Sequence, residues 1–366
     1  MPDKEPLVSV IIPIYNAAFF LDQCLDSVQS QTLSNLEIIC LNDGSTDNSW
    51  QIISEHASHD ARIIAIDKPN SGYGASCNRG VKEARGAYIA IVEPDDWIES
   101  GMFADMLDFA ASFNEAIDII KTPYWRIWMP GTPQQRKLNC SYHKRIEPAK
   151  QPFTIGESAH LLRHHPSIWS ALYRREFLLE TGILFKEIPG AGWADNPFLM
   201  ETLCRAKTII YLDRAYYCYR EDLPGSSSTL KAPTLPFDRW NDMADILERL
   251  NITDEQILRA HISRGFTYLG GILEEQSAND PLVQRCMKTM FTRMDAGLVL
   301  SDPEVSPGMK KLFITTRELP TQKFSKLPYL GSLLKEWSYS VSNNGVQSAL
   351  IQAATYLRNH RVREGR

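Results

Sequence analysis

What the sequence lacks argues against several protein classes. Over 366 residues the chain carries 39 Lys and Arg against 44 Asp and Glu, so it has no general attraction to polyanions and we expect no nucleic-acid partner. Its seven cysteines are scattered, without the paired spacing of a zinc site or a disulfide framework, which predicts reduced core thiols. No run reaches the roughly 20 apolar residues of a spanning helix, and the charged N-terminus has no signal-peptide segment. These absences predict a cytoplasmic protein.

Two glycine-rich nucleotide signatures are missing as well. A dinucleotide fold needs G-x-G-x-x-G after its first strand, but "VSVII" is followed by "PIYNAAFF", which contains no glycine. The later "SGYGASCNRG" has Gly72 and Gly74 but places Cys77 where the third glycine belongs. No G-x-x-x-x-G-K-S/T stretch is present either. The sequence therefore argues against a Rossmann oxidoreductase and against a P-loop protein.

Hydrophobic residues make up 43% of the chain and fall into short β-rich runs that alternate with helical patterns. The runs are "LVSVII", "LEIICL", "RIIAI", "AYIAIV" and "AIDIIK", each continuous, as in strands buried on both faces. After the first run, one apolar helical face is formed by Leu21, Cys24, Leu25 and Val28. The expected N-caps are Asn16 for this helix and Asp47 for the next. Repeated β-α-β order predicts a parallel α/β sheet whose ligands lie at the carboxyl ends of its strands.

The second half of the chain has a different character. Residues 125–153 are rich in Pro, Gln, Lys and Arg and have weak periodicity, which predicts a loop that leaves the sheet. After residue 225, helices are indicated by "FDRWNDMADILERL" and by "TDEQILRAHISRGFTYLGGILEEQ", where Thr253 and Gln256 form a capping-box pattern. We predict an α/β domain at 1–225 and a helical region with a basic tail at 226–366.

Polar residues collect where three predicted strands end. They are Pro13, Tyr15 and Asn16 after the first strand, Asp43 after the second, and Glu93, Asp95 and Asp96 after the fourth. These ends meet at one edge of a parallel sheet. There Asp43 is placed to accept a hydrogen bond from a base N–H, Tyr15 to pack against that base, and the acidic cluster to hold a divalent cation on a diphosphate.

Four segments in order resemble the family 2 glycosyltransferases, whose nucleotide-sugar-binding fold is called GT-A. They are "VSVIIPIYN", "LNDGSTDNS", "NRGVKEARGAYIAIVEPDD" and "WADNPF", and the resemblance covers roughly the first 220 residues. It implies that residues 1–225 are a GT-A catalytic domain with a mainly parallel sheet, followed by the helical region. The donor half of this domain is then at about 1–122 and the acceptor half at about 123–225. The resemblance also implies roles for individual residues. Asp43 and Tyr15 are expected to contact uracil, and Asn78 and Arg79 to lie near the sugar or diphosphate. Asp95 is expected to bind Mn²⁺ or Mg²⁺. Glu93 replaces the first Asp of the family's D-x-D pattern. This replacement leaves open whether Glu93 contacts the ribose, the metal or only water.

The resemblance also supplies a general base. In "GAGWADNPF", Pro197 suits a first helical position, which makes Asn196 the expected N-cap and leaves Asp195 without a capping role. In the resembling family, an Asp before this helix acts as the general base of an inverting reaction, and Asp195 occupies that position. Ala194 occupies the preceding position, where the family usually has Glu. We expect Trp169 and Trp193 to line the acceptor site, since aromatic faces pack against sugar C–H surfaces. Arg220, with the "GSSST" that follows it, is expected to close over the diphosphate.

The expected function is metal-dependent, inverting transfer of a sugar from a UDP-sugar to a hydroxyl of a glycan or lipid-linked glycan in surface polysaccharide synthesis, such as lipopolysaccharide or capsule. Two alternatives stay open: a non-catalytic glycan- or nucleotide-binding protein on the same fold, and a nucleotidyltransferase. Each acidic residue also has a plain structural interpretation, as a turn, helix cap or surface carboxylate. The tail, with "LPYLGSLLKEWSY" and "LRNHRVREGR", fits a peripheral contact at the inner face of the membrane or, as the pattern favours, a packed terminal helix with a solvated basic end.

Overall fold

The protein is described by a computed structural model over residues 5–221 and 232–363. It divides into two compact units, which we treat separately. The first comprises Met1–Ser158 and His165–Ser227, and the second comprises Ala159–His164 and Ser228–Arg366.

The first unit is built on eleven described strands in two sheets. In chain order they are β1 Val8–Ile14, β2 Leu36–Asp43, β3 Ile63–Lys68, β4 Tyr88–Ile91, β5 Trp97–Ile98, β6 Ile119–Lys121, β7 Tyr124–Trp128, β8 Arg136–Asn139, β9 Ala171–Arg174, β10 Ile209–Tyr211 and β11 Tyr217–Arg220. The large sheet has the order β10-β6-β9-β4-β1-β2-β3, and only β9 runs antiparallel to its neighbours. The expected mainly parallel α/β sheet is confirmed.

Helices flank the large sheet. They are α1 Ala18–Gln29, α2 Ser49–His59, α3 Tyr73–Glu83, α4 Met102–Ala111, α5 Arg175–Thr181 and α6 Asp195–Arg205, with a 3₁₀ segment at Ile155–Leu162. The predicted apolar face of α1 is buried. α3 approaches β1 closely at Gly80, where an added Cβ would lie 2.5 Å from a methyl of Ile11. Because the parallel β1 and β2 end level, at Ile14 and Asn42, their following loops meet at one edge.

The prediction of a loop over residues 125–153 is wrong in part. β7 and β8 form an antiparallel hairpin there, and β7 also pairs in parallel with β11 in the small sheet β5-β11-β7-β8. The partner strand β11 begins 89 residues after the end of β7, and the polar side chains of β8 conceal the alternation of a strand. Local sequence therefore gave no sign of the pairing.

The predicted N-caps of α1 and α2 are both wrong, and Asp47 bonds the first backbone N–H group of each helix. Asn16 is not the N-cap of α1: it has φ 50° and lies before Ala17, and the first helical N–H, of Ala18, bonds Oδ2 of Asp47 at 3.0 Å. Asp47 was expected to cap α2, but the N-cap there is Asn48, and Asp47 instead accepts from the first residue of the helix.

Two further caps are shifted along the chain. α6 begins at Asp195 rather than at Pro197, which places Asn196 inside the helix instead of at its cap. α8 (Glu255–Glu275) is capped by Asp254, whose side chain accepts from two helical N–H groups, and not by Thr253. Both shifts are within the usual uncertainty of helix ends.

The second unit is helical, as predicted. It contains α7 Leu235–Arg249, α8, α9 Pro281–Thr292, α10 Ala296–Ser301, α11 Pro307–Thr316 and α12 Leu327–Arg363. Its core includes the stacked rings of Trp240 and His261, whose centroids lie 4.2 Å apart. α12 is interrupted at Gly345, which has φ 80°. Within the described parts of the chain, no helix combines the length and apolarity needed to cross a membrane.

Candidate active site

The acidic loop after β4 is held in place by the small sheet. Asp96 is buried and accepts hydrogen bonds from the hydroxyl of Tyr217, at 2.9 Å, and from the backbone N–H of Arg220, at 2.8 Å. Burial raises the pKa of Asp96 well above its ordinary value, and the charge of Asp95 raises it further. Asp96 is not the cap of α4, which follows Gly101. Its contacts make it an internal anchor between the loop and β11.

Asp95, next to this anchor, has a carboxylate that is differently placed. Among residues 5–221 and 232–363, no side chain donates a hydrogen bond to it. Burial raises the pKa of Asp95, while the nearby Arg220 lowers it. Arg220 is itself fixed beneath the loop: its Nε donates to the backbone carbonyl of Asp95, and its guanidinium lies over the rings of Phe20 and Trp97. The "GSSST" expected to act with Arg220 lies outside the described residues.

Glu93 has a partner that the sequence did not indicate. The hydroxyl of Tyr73, in the first turn of α3, donates to Oε1 of Glu93 at 2.6 Å. Burial raises the pKa of Glu93 to about 8; the Tyr73 bond opposes this rise, and the charges of Asp95 and Asp195 add to it. The only available signal for Tyr73 was its position between two glycines, a pattern typical of close backbone approach.

Asp43 lies at the base of the β2 loop and organises the turn before α3. Its Oδ1 accepts from Lys68 Nζ and from the N–H of Ser71 at 2.8 Å, and its Oδ2 accepts from the N–H of Gly72 at 2.9 Å. Gly72 has φ 92°, and an added Cβ would lie 2.4 Å from the carbonyl oxygen of Ile188, so no side chain fits there. The Ser71 hydroxyl also donates to Oδ1, at 3.5 Å, so the acceptor position left for a base N–H is the second lone pair of Oδ2.

The residues after β1 divide into buried and exposed positions. Pro13 is buried within β1, whereas Tyr15 is 53% exposed at the edge of the sheet and presents its ring to solvent. Asn16 connects two loops: its Oδ1 accepts from the N–H of Thr46 at 2.7 Å, and its own N–H donates to Ser45 Oγ at 3.0 Å. The exposed ring of Tyr15 and the carboxylate of Asp43 thus belong to neighbouring, cross-linked loops.

Asp195 is at the first position of α6, far from the acidic loop in sequence. Its negative charge raises the pKa values of Glu93 and Tyr73, which places it within electrostatic reach of both. Its Oδ1 accepts from the side-chain amide of Asn196 at 3.0 Å. The fold therefore brings Asp195 to the carboxylates after β4, across about one hundred residues of sequence.

The segment before α6, residues 183–194, is docked on α3. The N–H of Tyr73 donates to the carbonyl of Gly190 at 3.0 Å, and the ring of Phe185 stacks on Phe198 of α6 with centroids 3.8 Å apart. Asn78 accepts from the N–H of Phe185 at 2.8 Å and donates to its carbonyl at 2.9 Å. The side-chain amide of Asn78 therefore bonds this segment through both its oxygen and its nitrogen. Its neighbour Arg79 pairs with Glu83 on the outer side of α3.

These contacts predict the effect of Asn78→Ala. Loss of both bonds to Phe185 releases the segment that leads to Asp195, and displacements of about 1 Å can cost roughly 10²-fold in rate. For the sugar transfer that the family resemblance implies, we expect a 10- to 100-fold lower kcat, with UDP affinity by titration calorimetry unchanged. Glu83→Ala, on the outer side of the same helix, is the matched control. Weaker UDP binding with an unchanged kcat would contradict this prediction. It would mean that Asn78 contacts the donor, as the sequence suggested.

The two tryptophans expected in the acceptor site differ in position. Trp169 is 3% exposed and stacks on Tyr217, at 4.0 Å between centroids, and on Tyr219, at 5.4 Å. Its faces are therefore covered, and it supports the tyrosine that anchors Asp96. Trp193 is partly exposed, two residues before Asp195, with φ 55°.

A cation at this site would need ligands from outside the protein. Within the described residues, no three His, Cys, Asp or Glu side chains are grouped so as to hold a metal ion. The carboxylate of Asp95 is the hard oxygen donor that Mn²⁺ and Mg²⁺ prefer, and Mg²⁺ sites commonly combine one or two carboxylates with substrate phosphates. The residues present fit a cation held jointly by Asp95 and a diphosphate.

Known proteins resemble both the sequence and the fold. Residues 9–181 match the model of Glycosyl transferase family 2. The uncharacterized glycosyltransferase EpsJ of Bacillus subtilis is 34% identical over 59% of this chain and 62% of its own length. The minor teichoic acid biosynthesis protein GgaB of the same species is 32% identical over 40% of this chain and 17% of its own. The chain thus spans less than two thirds of these relatives.

One group of solved structures supports the fold assignment. The crystal structure of S. aureus TarS 1-349 in complex with UDP-GlcNAc superposes with a TM-score of 0.69 over 85% of this chain and 87% of that one, at 20% sequence identity. At 20% sequence identity, the structural similarity to TarS supports the fold alone. The predicted GT-A fold, with its helical C-terminal region, is confirmed.

Proposed function

Because this chain carries a family 2 glycosyltransferase domain, we propose that it transfers a sugar from a UDP-sugar to a hydroxyl of a glycan or lipid-linked glycan, with inversion at the anomeric carbon. One observation carries the proposal: Asp195 lies within electrostatic reach of Glu93, in the acidic loop that also contains Asp95. This proximity supports a general base and a diphosphate-binding carboxylate that act in one region of the fold.

The donor base is held at the cross-linked loops after β1 and β2. Asp43 accepts the N–H of uracil at its remaining acceptor position, and the exposed ring of Tyr15 packs against the base. The UDP and UDP-GlcNAc bound in the TarS crystal structures support a uridine donor by analogy of fold. Lys68, which bonds Asp43, keeps that carboxylate oriented in the absence of a ligand.

The acidic loop holds the diphosphate end of the donor. Mn²⁺ or Mg²⁺, bound by Asp95 and the diphosphate, would neutralise the charge that develops on the departing UDP. Asp96 and Arg220 keep the Asp95 backbone fixed through their bonds to β11 and to the loop. Glu93, hydrogen-bonded to Tyr73, is placed to meet the ribose or the water around the cation.

The acceptor side is organised around α6. Asp195 takes the proton of the acceptor hydroxyl as that oxygen attacks the anomeric carbon from the side opposite the diphosphate, which inverts the configuration. The exposed part of Trp193 is the aromatic surface next to this base in the chain. The relatedness to GgaB, a minor teichoic acid biosynthesis protein, supports an acceptor that belongs to a polymer of that class.

Nucleotide-dependent stabilisation tests the donor assignment. The melting temperature is measured with UDP, TDP, GDP and CDP, each with and without Mn²⁺. A ligand at 100 times its Kd stabilises the folded state by about 2.7 kcal/mol, so we expect a clear shift that is selective for UDP and larger with metal. Equal shifts with all four nucleotides would contradict the base contacts of Asp43, and no shift with any of them would contradict the donor site as a whole.

A further inference from the structure

The first part of α12 exposes a row of large apolar side chains. Leu327, Leu330, Leu334 and Trp337 are 76%, 49%, 68% and 46% exposed. Their spacing of three and four residues places them on one side of the helix, in line with Val341. We call these five residues the apolar stripe. The sequence pattern favoured a packed terminal helix, so this exposure is a finding of the structure.

The charge of the surrounding sequence is opposite to that of the whole chain. From Leu327 to Arg366 there are five Lys or Arg residues and two Glu, whereas the full chain has a net charge of −5. Four of the five cations are arginines in the final nine residues. An apolar helical face followed by a basic segment is typical of helices that lie on anionic lipid surfaces.

A second copy of the chain fits this stripe less well. The stripe covers about two heptads before Gly345 interrupts the helix, whereas coiled coils generally need three or four. A lipid surface has no such length requirement, and Trp337 belongs to the residue type enriched at membrane–water boundaries. We propose that α12 binds the surface of an anionic phospholipid bilayer through the apolar stripe, and that the positive charge of the sequence after the stripe gives the preference for anionic lipid.

Vesicle binding tests this proposal on the full-length protein, independently of any sugar transfer. Sedimentation is measured with vesicles of phosphatidylcholine alone and with vesicles containing 30 mol% phosphatidylglycerol, at low and high salt. We expect binding to the anionic vesicles that weakens in high salt. The triple variant Leu330→Ser, Leu334→Ser, Trp337→Ser should lose at least about tenfold in partitioning, with an unchanged melting temperature because these side chains are exposed.

Two further variants separate the contributions of the stripe and the tail. Arg358→Gln, Arg361→Gln, Arg363→Gln should abolish the preference for anionic vesicles while leaving the protein folded. The matched control is Leu179→Ser, Leu282→Ser, which removes apolar side chains that are 50% and 37% exposed elsewhere and should bind as the parent does. The proposal is overturned if the parent does not sediment with anionic vesicles. It is overturned equally if light scattering finds a dimer that the stripe variant dissociates.

Discussion

Asp195→Asn is expected to lower the rate of sugar transfer by about 10²- to 10⁴-fold, the contribution of a positioned general base. The reason is that the amide cannot accept a proton from the acceptor hydroxyl. Since the amide oxygen can still accept the bond from Asn196, which Asp195 Oδ1 receives at 3.0 Å, α6 should keep its start. The comparison is made on kcat for transfer, with UDP affinity measured in parallel and expected to stay within about twofold.

The control for this substitution lies on the same helix. Glu201→Gln removes a carboxylate that pairs with Arg205 within α6 and should leave kcat close to that of the parent. Unchanged transfer by Asp195→Asn would eliminate it as the base. A loss of UDP affinity equal to the loss of rate would instead make Asp195 a donor-binding residue.

Asp95→Asn is expected to remove the metal-dependent part of donor binding. Stabilisation of developing charge by a bound cation is worth several kcal/mol, so kcat/KM for the UDP-sugar should fall by roughly 10³-fold. Calorimetry of UDP binding with and without Mn²⁺ provides the direct measurement. The parent should show an affinity gain with Mn²⁺ that the variant lacks. A variant with the parent's metal response would exclude Asp95 as the ligand.

The same substitution at the neighbouring residue, Asp96→Asn, separates loss of metal binding from loss of stability. Asp96 is buried and accepts from Tyr217 and Arg220, so its replacement leaves at least one of these groups poorly paired, at a cost of about 1–3 kcal/mol in stability. The two variants should therefore separate: Asp95→Asn changes the metal response at constant melting temperature, and Asp96→Asn lowers the melting temperature. Identical behaviour of the two would mean that the acidic loop acts as one unit.

Much of the donor half could be read from the sequence because its strands are nearly continuous apolar runs. β1, β2 and β4 are buried runs with polar residues directly after them, and parallel pairing then fixes where those residues meet. The positions of Asp43 and Asp95 at one edge follow from this argument. The hydrogen-bond partners of Asp43 and of the anchor Asp96 do not, since Lys68 and Tyr217 reach these carboxylates from other strands.

What the sequence could not predict depends on contacts between distant segments. Asn78 occurs in a motif that suggests a donor contact, yet its amide bonds the backbone of Phe185, more than one hundred residues away. Tyr73, next to the close approach of Gly72 to the segment before α6, bonds Glu93, twenty residues further along the chain. Trp169 looks like a sugar platform from its residue type, but packing between tyrosines covers it. In each case a long-range neighbour decides the role.

The bonds of Asn16 give the donor site a property that concerns recognition rather than chemistry. Because Asn16 ties its own loop to Thr46 and Ser45, the surfaces carrying Tyr15 and Asp43 are held together by hydrogen bonds within the protein itself. A preformed pocket does not lose loop entropy when its ligand binds, so discrimination between bases rests on a shape set in advance. The rate of UDP association should then rise linearly with concentration, without the plateau that a slow closure of this half of the site would impose.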